Sequence, residues 1–161
     1  MHGPVYKVAY RRRREGRTDY VHRLRLLRSG LPRAVVRRSN RYYTVQFIEF
    51  RENGDAVIAS ANSRELLKFG WTGAAGNTAA AYFTGLLAGL RAKKGGISEA
   101  VLDAGIVSPA KKSGVYAALA GMLEADVHIP HDEEVLPSKE RIEQTAAGHC
   151  EISSLRSRLV I

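Results

Sequence analysis

Residues 34–61 read AVVRRSNRYYTVQFIEFRENGDAVIASA, and their spacing decides the fold. Residues 34–38 are short and β-branched at the centre, which suits a strand. Ser39 and Asn40 make a turn. From Tyr42 to Phe50 the chain alternates: Tyr43, Val45 and Phe47 point one way, Thr44 and Gln46 the other. The pattern breaks at Ile48 and Phe50, as burial on both faces or a bulge would require. Asn53-Gly54 is a tight-hairpin signal, because these residues accept positive φ, and residues 56–61 return as a third strand.

Outside this meander the period becomes helical. Upstream, residues 19–29 predict a helix capped by Asp19 or Thr18 and ended by Gly30 and Pro32. Val21, Leu24 and Leu27 or Leu31 form one stripe, with Arg23, Arg25 and Arg28 between, so the helix is expected to bury that stripe and display arginines elsewhere. Downstream, residues 63–69 predict a short helix capped by Ser63. Residues 70–76, GWTGAAG, are a glycine-rich loop, and Asn77 caps a long helix reaching Lys94, closed by Gly95-Gly96. Residues 97–103 are strand-like, 105–114 a loop, 115–125 helical, 127–129 a last short strand, and 138–147 a helix capped by Ser138. The order β-β-β-α-β-α-β implies an α/β fold. A three-stranded antiparallel meander continues by βαβ-type crossovers into one mixed sheet with helices packed on it, preceded by a basic N-terminal arm and helix. Three segments are expected: 1–18 a flexible arginine-rich arm, 19–145 a single domain, and 146–161 a tail.

At 161 residues, 45% hydrophobic and 25% charged, the chain has the size and composition of one globular domain. Its net charge of +9 is unevenly placed. Residues 1–43 hold thirteen Lys or Arg against only Glu15 and Asp19, a net +11, while the rest is net −2. Of those thirteen, twelve are Arg, whose planar fork grips phosphate and stacks on bases. A solvated helix face or an arginine-rich transit peptide are the plainer readings. The block runs directly into folded pattern, which favours a polyanion partner. The run Arg11, Arg12, Arg13, Arg14 is self-repelling and reads as an arm that orders on its partner. A single cysteine excludes an internal disulfide framework. The longest apolar run, 79–90, is too short to span a bilayer, and no apolar signal region follows the N-terminus, so neither membrane nor secretion is expected.

Around the first hairpin, Arg37, Arg38, Asn40, Arg41, Tyr42 and Tyr43 combine cations with aromatics, the usual means of holding RNA. Tyr43 alternates with the core, which leaves Tyr42 as the stacking candidate. The glycine-rich loop before a capped helix is built like a phosphate cradle, with Thr72 and Asn77 as its polar groups. It lacks a Gly-Lys-Ser/Thr ending, and a tight connection needing glycine dihedrals explains it equally well. Gly85 and Gly89 predict close packing of the long helix on the sheet. His128 and His131 with Asp132, Glu133 and Glu134, and His149-Cys150, match no familiar zinc spacing, so no metal is expected. No nucleophile elbow or His-Glu-x-x-His is present. Glu49 and Asp103 are the strand-placed carboxylates, too few for a two-metal nuclease.

Five blocks then occur in order: YRRRREGRTDYVHRLRLL over 10–27, VRRSN over 36–40, SRELLKFGW over 63–71, TGAAGNTAAAYFTGLLAG over 72–89, and LDAG over 102–105 followed by the Pro109–Lys111-Lys112–Gly114 loop. Across roughly residues 5–143 the chain closely resembles the eighteenth large-subunit ribosomal protein in its archaeal and eukaryotic branch. The resemblance implies a non-enzymatic, cytoplasmic ribosomal protein without cofactor or small-molecule substrate. It implies binding to 5S rRNA in the central protuberance, with large-subunit rRNA and neighbouring ribosomal proteins as further partners. The expected RNA-binding residues are Arg11, Arg12, Arg13, Arg14, Arg17, Arg23, Arg25, Arg37, Arg38, Asn40, Arg41, Tyr42, Thr72 and Asn77, with Lys111 and Lys112 as a second patch. The alternative of another class is an RNA-processing metal-dependent nuclease on a ribonuclease-H-like sheet, using Asp103. Ala74-Ala75 depart from the polar residues expected in the glycine loop. The tail from Ala146 has no clear counterpart and is expected to pack on a neighbour or lack structure.

Overall fold

The computed structural model describes residues 7–106, 108–149 and 152–159. Its sheet has β1 (Arg33–Arg38), β2 (Tyr43–Glu49), β3 (Ala56–Asn62) and β4 (Val101–Asp103) in the spatial order β3-β2-β1-β4. The first three strands form the antiparallel meander, and β4 lies parallel to β1. Tyr43, Val45 and Phe47 are buried on the inner face, as their alternation requires. The broken alternation resolves as a bulge: the register slips between Phe47 and Ile48, so that Phe47 faces Ala59 but Ile48 faces Val57. Phe50 lies beyond the strand and is exposed.

Two helices cover the inner face. The long α3 (Thr78–Lys94) runs along β2 and β3, and α4 (Gly114–Glu124) packs against α3 and β1. Asn77 caps α3 by accepting the Ala80 amide at 2.7 Å. Gly85 and Gly89 do not face the sheet, as their spacing suggested; they face α4. A methyl group at Gly85 would collide with the Ala118 carbonyl, and one at Gly121 with the Tyr82 carbonyl. These glycines let two helix backbones touch, which leaves no room for a side chain between them.

One cap and two strands differ from expectation. The Ser63–Phe69 segment is a 3-10 helix capped by Asn62, not Ser63. The Asn62 side chain accepts the Arg64 amide while Glu65 accepts the Asn62 amide, a reciprocal box. Ser63 is buried, and its hydroxyl accepts the Tyr43 amide at 3.0 Å, tying the helix to β2. Burial of that hydroxyl, invisible in sequence, moves the cap back one residue. Residues 97–103 supply only the short β4, and residues 127–129 supply only an isolated parallel bridge between Glu99 and His128. Pro130 removes the donor that would extend that pairing.

The C-terminal segment returns to its own chain. After α5 (Lys139–Ala146), α6 (Ile152–Leu159) buries Leu155 and Leu159 in the same core. Arg156 donates to the Tyr82 hydroxyl at 2.8 Å and pairs with Glu124, and Arg158 donates to the Phe69 carbonyl. The expectation of a tail packing on a neighbour or lacking structure gives way to an amphipathic helix packed on α3 and the 3-10 helix.

Candidate nucleic-acid interface

The arm enters as one helical turn, α1 (Arg11–Arg14), with every side chain exposed. Intrahelical carbonyls accept amides while Glu15 offsets part of the charge, pairing with Arg17 at 3.2 Å and Arg11 at 3.6 Å. Arg12 donates to the Thr18 hydroxyl. Local pairing thus supports a turn that like-charge repulsion alone argues against. The side chains of Arg13 and Arg14 have no hydrogen-bond or ion-pair partner among the described residues.

Asp19 caps α2 (Tyr20–Leu27) by accepting the Val21 and His22 amides. The His22 amide bond, above all, holds its carboxyl below the ordinary range. The expected buried stripe is absent: α2 buries no residue, and Val21 and Leu24 are 57% and 55% exposed. Leu27 and Leu31, at the other end of that stripe, are only half-buried. The helix is held instead by charge. Arg23 binds Asp55 at 2.8 Å; Asp55 binds Arg33 at 2.6 Å; Arg33 binds Asp103 at 2.9 Å; and Asp103 binds Arg37 at 2.9 Å. This chain of three guanidiniums and two carboxylates crosses the outer face of the sheet from α2 to β4.

Its centre is dry. The Arg33 and Asp103 side chains are 4% and 8% exposed. Burial by itself raises the Asp103 carboxyl, but the Arg37 hydrogen bond and charge, the Arg33 hydrogen bond and the Gly105 amide outweigh it and hold it below the ordinary value. Asp103 is therefore a structural counter-ion, with both oxygens occupied by Arg33, Arg37 and Gly105. Glu49 pairs with Arg51 at the far end of the meander. The two carboxylates that the nuclease alternative needs do not meet.

The network also divides the expected RNA-binding set. Arg23 and Arg37 are engaged inward; Arg37 donates further to the Val36 and Asp103 carbonyls. Lys111 pairs with Glu134 at 2.9 Å. Thr72 donates its hydroxyl to the His149 carbonyl at 2.6 Å, and Asn77 is used as the α3 cap. The glycine loop is closed over by residue 149: a methyl at Gly73 would strike the His149 ring, which lies 5.8 Å from buried Trp71. Tight packing, not an open cradle, is what its glycines serve. Cys150 of the His149-Cys150 pair lies outside the described residues. Among those described, no three of His, Cys, Asp and Glu converge as metal ligands.

What remains outward of that set is a group of exposed cations whose side chains have no hydrogen-bond or ion-pair partner among the described residues: Arg13, Arg14, Arg25, Arg38, Arg41 and Lys112. Arg28, at the C-terminus of α2, joins them. Asn40 and Arg41 are exposed in the turn closed by Ser39, whose amide and hydroxyl both bond to the Tyr42 carbonyl, and Tyr42 is half-buried beside them. Tyr43 is core, and burial pushes its phenol up, against the opposing charge of Arg38. Sequence reasoning missed Arg33 and Asp55, the hub of the network. The signal was an arginine at a strand position flanked by apolar neighbours, which demands a buried carboxylate.

Residues 5–99 match the family model described as "Ribosomal large subunit proteins 60S L5, and 50S L18". Among curated relatives, the large ribosomal subunit protein uL18 of Aeropyrum pernix is 60% identical over 141 residues, covering 87% of this chain and 66% of that protein. The uL18 proteins of Korarchaeum cryptofilum and Haloarcula marismortui are 56% and 51% identical over 85% and 86% of this chain, and 70% and 74% of their own lengths. The chain thus spans about two thirds to three quarters of the curated relatives it matches. With its ordered sequence blocks, mixed sheet and outward arginines, the chain belongs to this family of structural, non-enzymatic large-subunit ribosomal proteins.

Proposed function

We propose that this protein binds 5S rRNA and helps to attach it in the central protuberance of the large ribosomal subunit. The observation that carries the reading is the set of exposed arginines on the arm, α2 and the β1–β2 turn, which the fold does not use. A-form RNA hides its base edges in a deep groove, so recognition proceeds through phosphate, 2′-hydroxyl and shape. Arginines held on short, externally supported elements suit that task. The body of the protein is the platform: the sheet and α3–α4 core fix the angle of the hairpin, and the Arg23–Asp55–Arg33–Asp103–Arg37 chain fixes α2 relative to it. Arg23 and Arg37 act in this reading by positioning, and Arg13, Arg14, Arg25, Arg38 and Arg41 by contact. The arm gains further order on RNA through many simultaneous charge contacts. Large-subunit rRNA and neighbouring ribosomal proteins complete the environment, and the protein works in the cytoplasm as part of the ribosome.

The test is binding of the full chain to 5S rRNA and to an unrelated duplex RNA of equal length, across a salt series. A preference for 5S rRNA that survives at physiological salt supports the reading. Equal affinity for both contradicts it and leaves a generic basic protein.

A further inference from the structure

The tip of the β2–β3 hairpin carries a reactive pair of residues outside the surface assigned to RNA. Residues 50–55 are all exposed, and the turn is closed by the Gly54 amide, which donates to the Arg51 carbonyl at 3.0 Å. Gly54 sits at φ +125°, a conformation that favours glycine, and apart from its chain neighbours nothing lies within 4 Å of where a Cβ would stand. No side chain therefore screens its nitrogen. The Asn53 carboxamide beside it is exposed and has no hydrogen-bond partner among the described residues. Asn62, Asn77 and Asn40 are placed differently. Asn62 accepts the Arg64 amide and donates to the Thr44 hydroxyl, and Asn77 accepts the Ala80 amide. Asn40 is followed by Arg41, whose side chain crowds the next amide.

We propose that Asn53 is a site of intramolecular modification to aspartate and isoaspartate, and that the isoaspartate loosens the ion-pair chain through Asp55. The single hydrogen bond of an exposed turn opens readily. Hydroxide then takes the Gly54 amide proton, and the nitrogen attacks Asn53 Cγ. A C–N bond forms and ammonia leaves, its proton drawn from water, to give a five-membered succinimide. Reacting groups on adjacent residues need no encounter step. Water opens the ring at either carbonyl. One opening gives aspartate. The other gives isoaspartate, in which the main chain runs through the former side chain and is one methylene longer. No oxidation state changes. Asp55, two residues on, binds Arg23 at 2.8 Å and Arg33 at 2.6 Å. A longer main chain at residue 53 displaces Asp55 from those guanidiniums and frees α2. The proposal holds whatever the outward arginines contact.

The experiment incubates the folded full chain in mildly alkaline and in mildly acidic buffer. Trypsin then releases residues 52–64, flanked by Arg51 and Arg64, as one peptide that holds both Asn53 and Asn62. A gain of about 1 Da at Asn53, with Asn62 unchanged, is expected by fragmentation mass spectrometry. The gain is expected to be faster in the alkaline buffer, and the aged chain to accept methyl groups from a protein isoaspartyl methyltransferase. Asn53→Gln must close a larger ring and is expected to stay unmethylated. Hydrogen exchange of the α2 amides, residues 20–27, is expected to quicken several-fold in the aged parent. It is expected to stay slow in aged Asn53→Gln and in fresh Asn53→Asp, which carries the charge without the added methylene. An Asn53 that stays intact in the folded chain, whether or not it reacts in urea, would overturn the proposal, as would Asn62 reacting equally fast. A modified Asn53 with unchanged exchange over residues 20–27 would contradict the coupling through Asp55.

Discussion

In α3, every side chain from Ala79 to Gly89 is buried; in α1 and α2, none is. The helices of the core are made of Ala, Gly and Leu and are held by close approach. In the N-terminal region α1 is all Arg, while α2 sets two Arg among apolar residues that stay exposed or half-buried, and the pair is held by the Asp19 cap and by ion pairs. Small side chains let backbones meet, so α3 and α4 derive their stability from dispersion and burial within the protein. Long cationic side chains exposed to solvent add little to folding. The contrast teaches that the two regions answer to different partners: the core to itself, the arginine region to something outside the chain.

The largest effect that sharpens this contrast lies at the helix contact. Gly85→Val forces a branched side chain into the Ala118 carbonyl. Destabilisation of about 3 kcal/mol or more is expected, seen as a large fall in the denaturant midpoint. A small loss would mean that α3 and α4 can part without consequence, and the contrast would fail on its inner side.

Next is the charged hub, which belongs to both regions. Asp103→Asn leaves Arg33 and Arg37 without their shared carboxylate; a loss of about 2–3 kcal/mol at neutral pH is expected from denaturant titration. The pH dependence follows from the lowered carboxyl of Asp103. Its contribution is fully present above the ordinary value of 3.8 and is lost as pH falls from there through the lower folded-state value, because the unfolded chain then binds the proton more readily. The acid limb of the stability profile should therefore be steeper in the parent than in Asp103→Asn. Parallel limbs would show that the network does not hold α2 by charge.

The sheet was legible because a period of two and an Asn-Gly turn are local signals. Tyr43, Val45 and Phe47 announce their face, while the break at Ile48 and Phe50 left a bulge as one of two readings. The α3 cap and end were legible for the same reason: Asn77 and Gly95-Gly96 act on adjacent residues. What local pattern does not carry is whether a second element exists to cover a stripe. Val21 and Leu24 have core spacing, yet both stay more than half exposed. Nor does it carry partners distant in sequence. Arg23 and Arg37 looked like RNA ligands because Asp55 and Asp103 are 32 and 66 residues away. Thr72 looked like a phosphate ligand because the His149 carbonyl, which accepts its hydrogen bond, is 77 residues away. The family resemblance was legible because it rests on ordered blocks, which need no knowledge of contacts.

A smaller effect tests the outer side. Leu24→Ser changes a helix residue that is 55% exposed. The expected change in stability is under about 0.5 kcal/mol in thermal or chemical unfolding. A loss several times larger would mean that the α2 stripe is covered in the protein and that the region is part of the core after all.

The central claim is that the arginines of the arm serve a polyanion and not the fold. It is tested most directly by replacing Arg11, Arg12, Arg13 and Arg14 together by Gln, measuring the melting temperature and the slope of log affinity for 5S rRNA against log salt. The account predicts an unchanged melting temperature and a slope shallower by about three units, from the loss of up to four phosphate contacts. A lowered melting temperature with an unchanged slope would contradict it.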